Sequence, residues 1–401
     1  MQPARRFLYN PSVIKARPAD FIVEERAALP LREAGEFRAY RLTKSGWNTL
    51  DLVRLLARTC GVSPTAIAYG GKKDRHGVTS QFLTIRDARD FSREERNFRL
   101  EFKGFMDRAM GPDLIQANEF RIVLRDLPES GPIERALEGV RRFGVPNFFD
   151  DQRFRSYDPE RGFFAEKVLR RHYNGALQVY LMSTTPETDA SERKRKRDLF
   201  GKWRDWPACL EIASGREEKA ILGYLAAHPK EFARALHKLP QEEVSMRYSS
   251  FQSHLWNELL RRLIRDIVPE STAVAGAEGA YLFWRTLDGP AESALKDLSL
   301  PTAAAHMVFP DDRTQALFES ILADGGLRRP DFRTHALRKV YFKSFLRRAV
   351  IHPENIEAGD EGPDELYPGR RRIRLSFALP RGAYATMVVK RLMLPNPAES
   401  A

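Results

Sequence analysis

Hydrophobic and polar residues alternate most plainly over 371–379, where Ile373, Leu375, Phe377 and Leu379 share one face and Arg372 and Arg374 the other. Period-two alternation of this kind predicts a strand with one buried face. The same period predicts strands over 98–102 and 118–125, and shorter ones at 21–24, 40–44, 67–69 and 81–85. Helical spacing takes over after residue 48. Asn48 can cap the first turn, Asp51 suits its positive end, Leu52, Val53, Leu55 and Leu56 form the apolar stripe, and Gly61 supplies the stop. A second helix is predicted over 132–143, with Pro132 near its start and Gly144 just past its end. From about residue 156 helical patterns dominate, notably over 250–262 and 312–323. Two charged stretches break the pattern. The run Arg193, Lys194, Arg195, Lys196, Arg197 follows a polar Thr/Pro/Glu segment and reads as a linker. The acid-rich stretch 353–369 reads as a solvated connection.

A chain of 401 residues has room for two or three domains. Its net charge of +12 points to a polyanionic partner, nucleic acid or an acidic membrane surface. Cys60 and Cys209 are the only cysteines, which excludes a disulfide framework and the paired spacing of a zinc site. Neither a secretory leader nor an apolar run of membrane-spanning length is evident, so a cytoplasmic protein is expected.

One stretch concentrates chemistry: Ala68-Tyr69-Gly70-Gly71-Lys72-Lys73-Asp74-Arg75-His76-Gly77-Val78-Thr79-Ser80-Gln81. Flanked by two predicted strands, it caps a strand–loop–strand unit. Lys72, Lys73 and Arg75 favour the ionised form of Asp74 and could hold an anionic substrate beside it. A solvated, charge-balanced turn would look similar. Phosphate-binding glycine loops, nucleophile elbows and paired-histidine zinc motifs are all absent from the sequence.

The loop resembles the catalytic loop of the TruD family of pseudouridine synthases, Gly-x-Lys-Asp-(Lys/Arg)-x-x-Val-Thr-x-Gln, through Gly71, Lys73, Asp74, Arg75, Val78, Thr79 and Gln81. Other family motifs follow in order. Lys15 with Asp20-Phe21-Ile22-Val23-Glu24-Glu25 resembles the first, and Lys44 with Asn48-Thr49 the second. Asn118 to Arg125 resembles a further strand motif, while the loop before it, 106–113, is much less basic than in the family. Gly144-Val145-Pro146-Asn147-Phe148-Phe149-Asp150-Asp151-Gln152-Arg153-Phe154 is a long match, with Asp150 and Arg155 standing where the family has glycine. Leu379-Pro380-Arg381-Gly382 through Leu392 resembles the last motif.

The resemblance implies an α+β fold: a pseudouridine-synthase-like catalytic domain, with a mainly antiparallel sheet and helices, interrupted by an inserted α/β TRUD-type domain. The boundaries expected are 1–155 and 346–401 for the catalytic parts and 156–345 for the insertion. It implies isomerisation of a uridine in tRNA, at position thirteen, to pseudouridine, by a monomer needing neither cofactor nor metal. Asp74 would be catalytic. Phe149 would stack on the flipped base, Asn147 would shape the pocket, and Lys390 would be the basic partner of Asp74. Lys15, Lys73, Arg75 and Asn48 would contact the RNA, although Asn48 suits a purely capping role equally well. Two other readings compete. A non-catalytic tRNA-binding or chaperone protein would carry the same charge, but has no need of Asp74 among its motif neighbours. A metal-dependent nuclease would need a carboxylate cluster near Asp74, which the sequence does not supply.

Overall fold

The computed structural model describes residues 14–128, 133–185, 188–333, 337 and 340–395. It divides into two compact units, one of residues 14–145 with 351–395 and the other of residues 146–350.

The first unit is built on a nine-stranded sheet. Its strands are β1 (Phe21–Ala27), β2 (Phe37–Ser45), β3 (Ile67–Tyr69), β4 (Val78–Ile85), β5 (Arg93–Glu95), β6 (Phe98–Met106), β7 (Ile115–Leu127), β8 (Glu354–Pro363) and β9 (Arg371–Pro380). Their order is β8-β9-β7-β1-β4-β2-β6-β5, and β3 also pairs with β4. Every pairing is antiparallel except that of β1 with β4, which is parallel. Helix α1 (Thr49–Cys60) starts where Asn48 Oδ1 accepts the Leu50 amide at 3.1 Å and ends at Gly61, in the left-handed conformation with φ 66°. Its stripe of Leu52, Val53 and Leu56 buries against Tyr40, Leu42, Leu83, Ile85 and Leu100 of the sheet. Helices α2 (Ile133–Phe143) and α3 (Ala385–Leu392) pack against each other. Pro132, the expected first residue of α2, lies outside the described residues.

Most of the acid-rich stretch is solvent-exposed, as expected, but it is more than a connection. Residues Glu354–Pro363 form the edge strand β8, paired with β9. Ion pairs Arg371–Glu361 at 2.8 Å and Arg374–Asp360 at 3.2 Å replace the apolar alternation that a strand with a buried face would show. Asp364, just beyond, is buried and accepts Arg125 Nη1 at 2.9 Å. Arg125 also donates to both oxygens of buried Asp20, at 2.9 and 2.8 Å.

The second unit is mainly helical, around the 27-residue helix Gln241–Ile267. The hairpin Thr272–Gly276 with Gly279–Phe283 is its longest strand pair among the described residues. The basic run is not a linker either: Ala190–Gly201 is an α-helix, capped by Asp189 Oδ1 on the Glu192 amide at 2.8 Å. Arg195 makes this possible by pairing with Glu192 and Glu218, at 2.6 and 2.7 Å, which relieves the like-charge repulsion of the run. No helix among the described residues is long and apolar enough to cross a membrane.

Candidate active site

Strand direction brings the site together. In the parallel pair, Ile22 of β1 stands beside Val78 of β4, so the segments entering the two strands lie at the same end of the sheet. Lys15 is on one entering segment and Asp74 on the other. Strand β2 runs the opposite way and finishes at this end, with Lys44 opposite Thr79. Gly77 permits the close approach: a Cβ there would sit 2.4 Å from the Phe21 carbonyl oxygen.

The Asp74 carboxylate accepts a short hydrogen bond from Lys15 Nζ through Oδ2 and another from the His76 amide, at 3.0 Å, through Oδ1. Burial pushes the Asp74 carboxyl up, but the Lys15 charge and the bonds from His76 and Lys15 outweigh it and hold the group below the usual carboxylate range. Lys15 Nζ also lies 4.2 Å from the centre of the Phe21 ring, which fixes the ammonium from behind. Asp74 is therefore ionised yet partly withdrawn from water, its side chain 24% exposed.

Beneath the loop, Lys44 is almost wholly buried, at 1% exposure. Its ammonium donates to three carbonyl oxygens, of Trp47 at 2.8 Å, Asp74 at 2.9 Å and Lys73 at 3.3 Å. Burial, with the nearby Lys73 charge, lowers its pKa to about 8 against the pull of Asp74. Thr49 Oγ1 accepts the Lys73 amide at 3.0 Å and donates towards Gln81 Oε1 at 3.1 Å, and Gln81 Nε2 donates to the Gly71 carbonyl at 3.1 Å. The family motif residues Lys44, Thr49 and Gln81 thus shape the backbone that carries Asp74.

Lys73 turns inward, paired with the buried Glu25 at 2.8 Å and donating to Asn118 Oδ1. Arg75 lies outward and donates to the Gly46 carbonyl at 3.2 Å. Together with Lys15, His76 and Gly46 it lines a cleft of about 450 Å³. Asn48 caps α1. Lys390 is buried on α3, and the amine in contact with the Asp74 carboxylate is that of Lys15.

In the helical unit, Asn147 and Phe149 are held by residues the sequence did not single out. Arg347 Nη2 donates to Asn147 Oδ1 at 2.6 Å, and its guanidinium lies 4.0 Å from the centre of the Phe149 ring. Asn257 accepts the Phe149 amide at 2.8 Å and donates to its carbonyl at 2.9 Å. Trp256 meets the same ring edge-on at 5.5 Å, leaving Phe149 only 4% exposed. The amide of Asn257 is in turn fixed by the buried carboxylate of Glu278, at 2.8 Å. Arg347 lies in no motif and far from Asn147 in sequence, so no local pattern could have revealed it. Asp150 and Arg155, which replace glycines of the family pattern, sit at φ −89° and −58°, where any L-residue is at ease.

The first unit thus presents an ionised, partly buried carboxylate on a braced loop beside a basic cleft, and among the described residues no group of three His, Cys, Asp or Glu is placed to hold a metal. The model of one family, described as tRNA pseudouridine synthase D (TruD), matches residues 11–392. The chain belongs to this family, and is a tRNA pseudouridine synthase, an intramolecular isomerase. It is 29% identical over 411 residues to the tRNA pseudouridine synthase D of Leptospira interrogans serovar copenhageni, covering 98% of each chain. To the tRNA pseudouridine synthase D of Aquifex aeolicus it is 27% identical over 390 residues, covering 94% of this chain and 97% of the relative. A crystal structure of the putative tRNA pseudouridine synthase D from Methanosarcina mazei shares the fold, with a TM-score of 0.71 at 24% identity, over 96% of this chain and 94% of that one.

Proposed function

We infer that Asp74 is the catalytic carboxylate with which this chain converts a uridine of tRNA, at position thirteen, into pseudouridine. The observation that carries the assignment is a partly buried carboxylate held ionised by Lys15 at the edge of a basic cleft. The reaction breaks the N1–C1′ bond, turns the uracil and joins C5 to C1′; C5 gives up its proton and N1 gains one, so the atoms balance. Substrate and product contain the same atoms, so the chemistry calls for no external oxidant or reductant. It calls instead for a nucleophile or base available at neutral pH, and an ionised Asp74 meets that need at uracil C6 or at the ribose. Lys15 would keep the carboxylate unprotonated until substrate arrives, and Arg75 and His76 at the cleft would meet phosphate or sugar oxygens. Lys44, Thr49 and Gln81 would hold the loop still through the base's rotation.

The target base must leave its stack to bring its C6 or its ribose to a carboxylate set into the protein surface, so flipping belongs to this reading. Asn147 and Phe149 are then the residues expected to receive it, with the helical unit as the family's inserted domain. We read the protein as a monomer working in the cytoplasm. Asp74→Asn is expected to cut turnover by a factor on the order of 10⁴ or more while tRNA still binds. Pseudouridine formed on unmodified tRNA measures this, and turnover within tenfold of wild type would overturn the assignment.

A further inference from the structure

We propose that the helical unit carries a second RNA-binding surface, a basic groove that grips the phosphodiester backbone of tRNA and stacks one base on Phe200. Two clefts of the helical unit, of about 750 and 670 Å³, share Arg161 in their walls, which makes them neighbours. Lys167, Arg171, Lys230 and Arg234 line the first; Arg193, Lys196 and Arg197 line the second. Cations outnumber acids along the groove, and closely spaced phosphates are the chemistry that matches such a track.

The helix Ala190–Gly201 divides its charges by face. Arg195 makes the ion pairs that stabilise the helix, and Arg193 and Arg197, one turn apart, line the cleft and are exposed. Phe200 follows on the same helix, and 47% of this large ring is open to solvent. Arg161 lies 4.8 Å from the ring's centre and is itself pinned to the buried Asp158 at 3.1 Å. An exposed ring flanked by cations is the arrangement that holds unstacked bases without reading their sequence.

This surface rests on the tRNA reading above. The test compares wild type with Arg193→Gln/Arg197→Gln/Arg171→Asn/Lys230→Gln, in which asparagine suits the left-handed backbone of residue 171, φ 59°. If the four cations touch phosphates, the slope of log affinity for tRNA against log salt falls by about 1.5–3. Arg265→Gln/Arg313→Gln, elsewhere on the helical unit, is the control for lost charge and should change the slope little. Phe200→Ala should weaken tRNA binding by about fivefold or more with the slope unchanged, and Phe200→Tyr should restore it. Circular dichroism and melting of each variant establish that it is folded. A slope unaltered by the quadruple variant, or altered equally by the control, overturns the groove; normal affinity in Phe200→Ala overturns the stacking. Wild type that forms no pseudouridine in tRNA sinks the functional reading and the groove with it. Wild type that does, beside a quadruple variant with unchanged slope, sinks the groove alone.

Discussion

The Lys15 ammonium meets the Asp74 carboxylate because the strands that follow them, β1 and β4, run side by side in the same direction. In a sheet otherwise antiparallel, this one parallel pair sets two loop residues 59 positions apart at a common end. The pair is partly exposed, so its electrostatic value lies in the protonation state it enforces more than in stability.

Removing Lys15 should therefore move the pH profile. In Lys15→Met the burial that raises the Asp74 pKa persists, while the opposing charge and hydrogen bond are gone. Wild type should lose activity only as pH falls below the ordinary carboxylate range. The acid limb of kcat/KM should lie roughly one pH unit or more higher in the variant. Superimposable acid limbs would show that Lys15 does not set the charge of Asp74.

Lys44→Met leaves the Trp47, Lys73 and Asp74 carbonyls without their common donor. Turnover should drop by about 10²-fold through a displaced Asp74, with tRNA affinity largely retained. A second readout is the pH dependence of stability. The folded amine loses its proton near pH 8 and the unfolded one near 10.5, so in that window the unfolded chain holds more protons and stability rises with pH. Urea midpoints at pH 7 and pH 10 should show wild type gaining on the variant by about 1 kcal/mol or more. A constant gap would refute the buried cation.

For Phe149→Ala the surroundings predict a large loss of stability, about 3–5 kcal/mol, because the ring is buried against Arg347 and Trp256. If the ring also receives the target base, KM or turnover in the remaining folded protein should worsen too. Unfolding midpoints together with kinetics separate the two contributions. Unimpaired turnover by the folded fraction would confine Phe149 to the core.

Arg125→Met should cost about 3–5 kcal/mol, since it leaves Asp20 and Asp364 buried without their shared cation. Because Asp20 also accepts the Arg17 amide at 2.8 Å, the segment bearing Lys15 should loosen with it. Thermal melting and the acid limb of activity should both move. A variant as stable as wild type would contradict a clamp at this point.

Much of this was legible in the chain. The strand at 371–379, the Asn48 cap, the Gly61 stop and the loop of Asp74 all follow from local patterns, and each stands where expected. Pairings between distant segments were not. Lys15 meets Asp74 through strand direction, which no spacing reveals, and Arg347 reaches Asn147 across two hundred positions. Charge misled twice for the same reason. The acids of 354–363 and the cations of 193–197 are largely exposed, as expected, but they read as connection and linker because partners such as Arg371 and Glu218, which order them, are supplied by other segments.

Phe377 of β9 pairs with Phe120 of β7, and the entire helical unit lies between them in sequence. During synthesis the loop of Asp74 emerges early, but β9 and the Asp364 side of the Arg125 clamp emerge last. Closing so long a loop is slow unless the residues between have already folded into a body of their own. A nascent chain that stops short of β8 carries Lys15 and Asp74 without the Asp364 side of the Arg125 clamp that steadies Asp20, just before β1. Unfinished chains should thus carry the loop of Asp74 on an unfinished sheet, which the segment from residue 351 onwards completes.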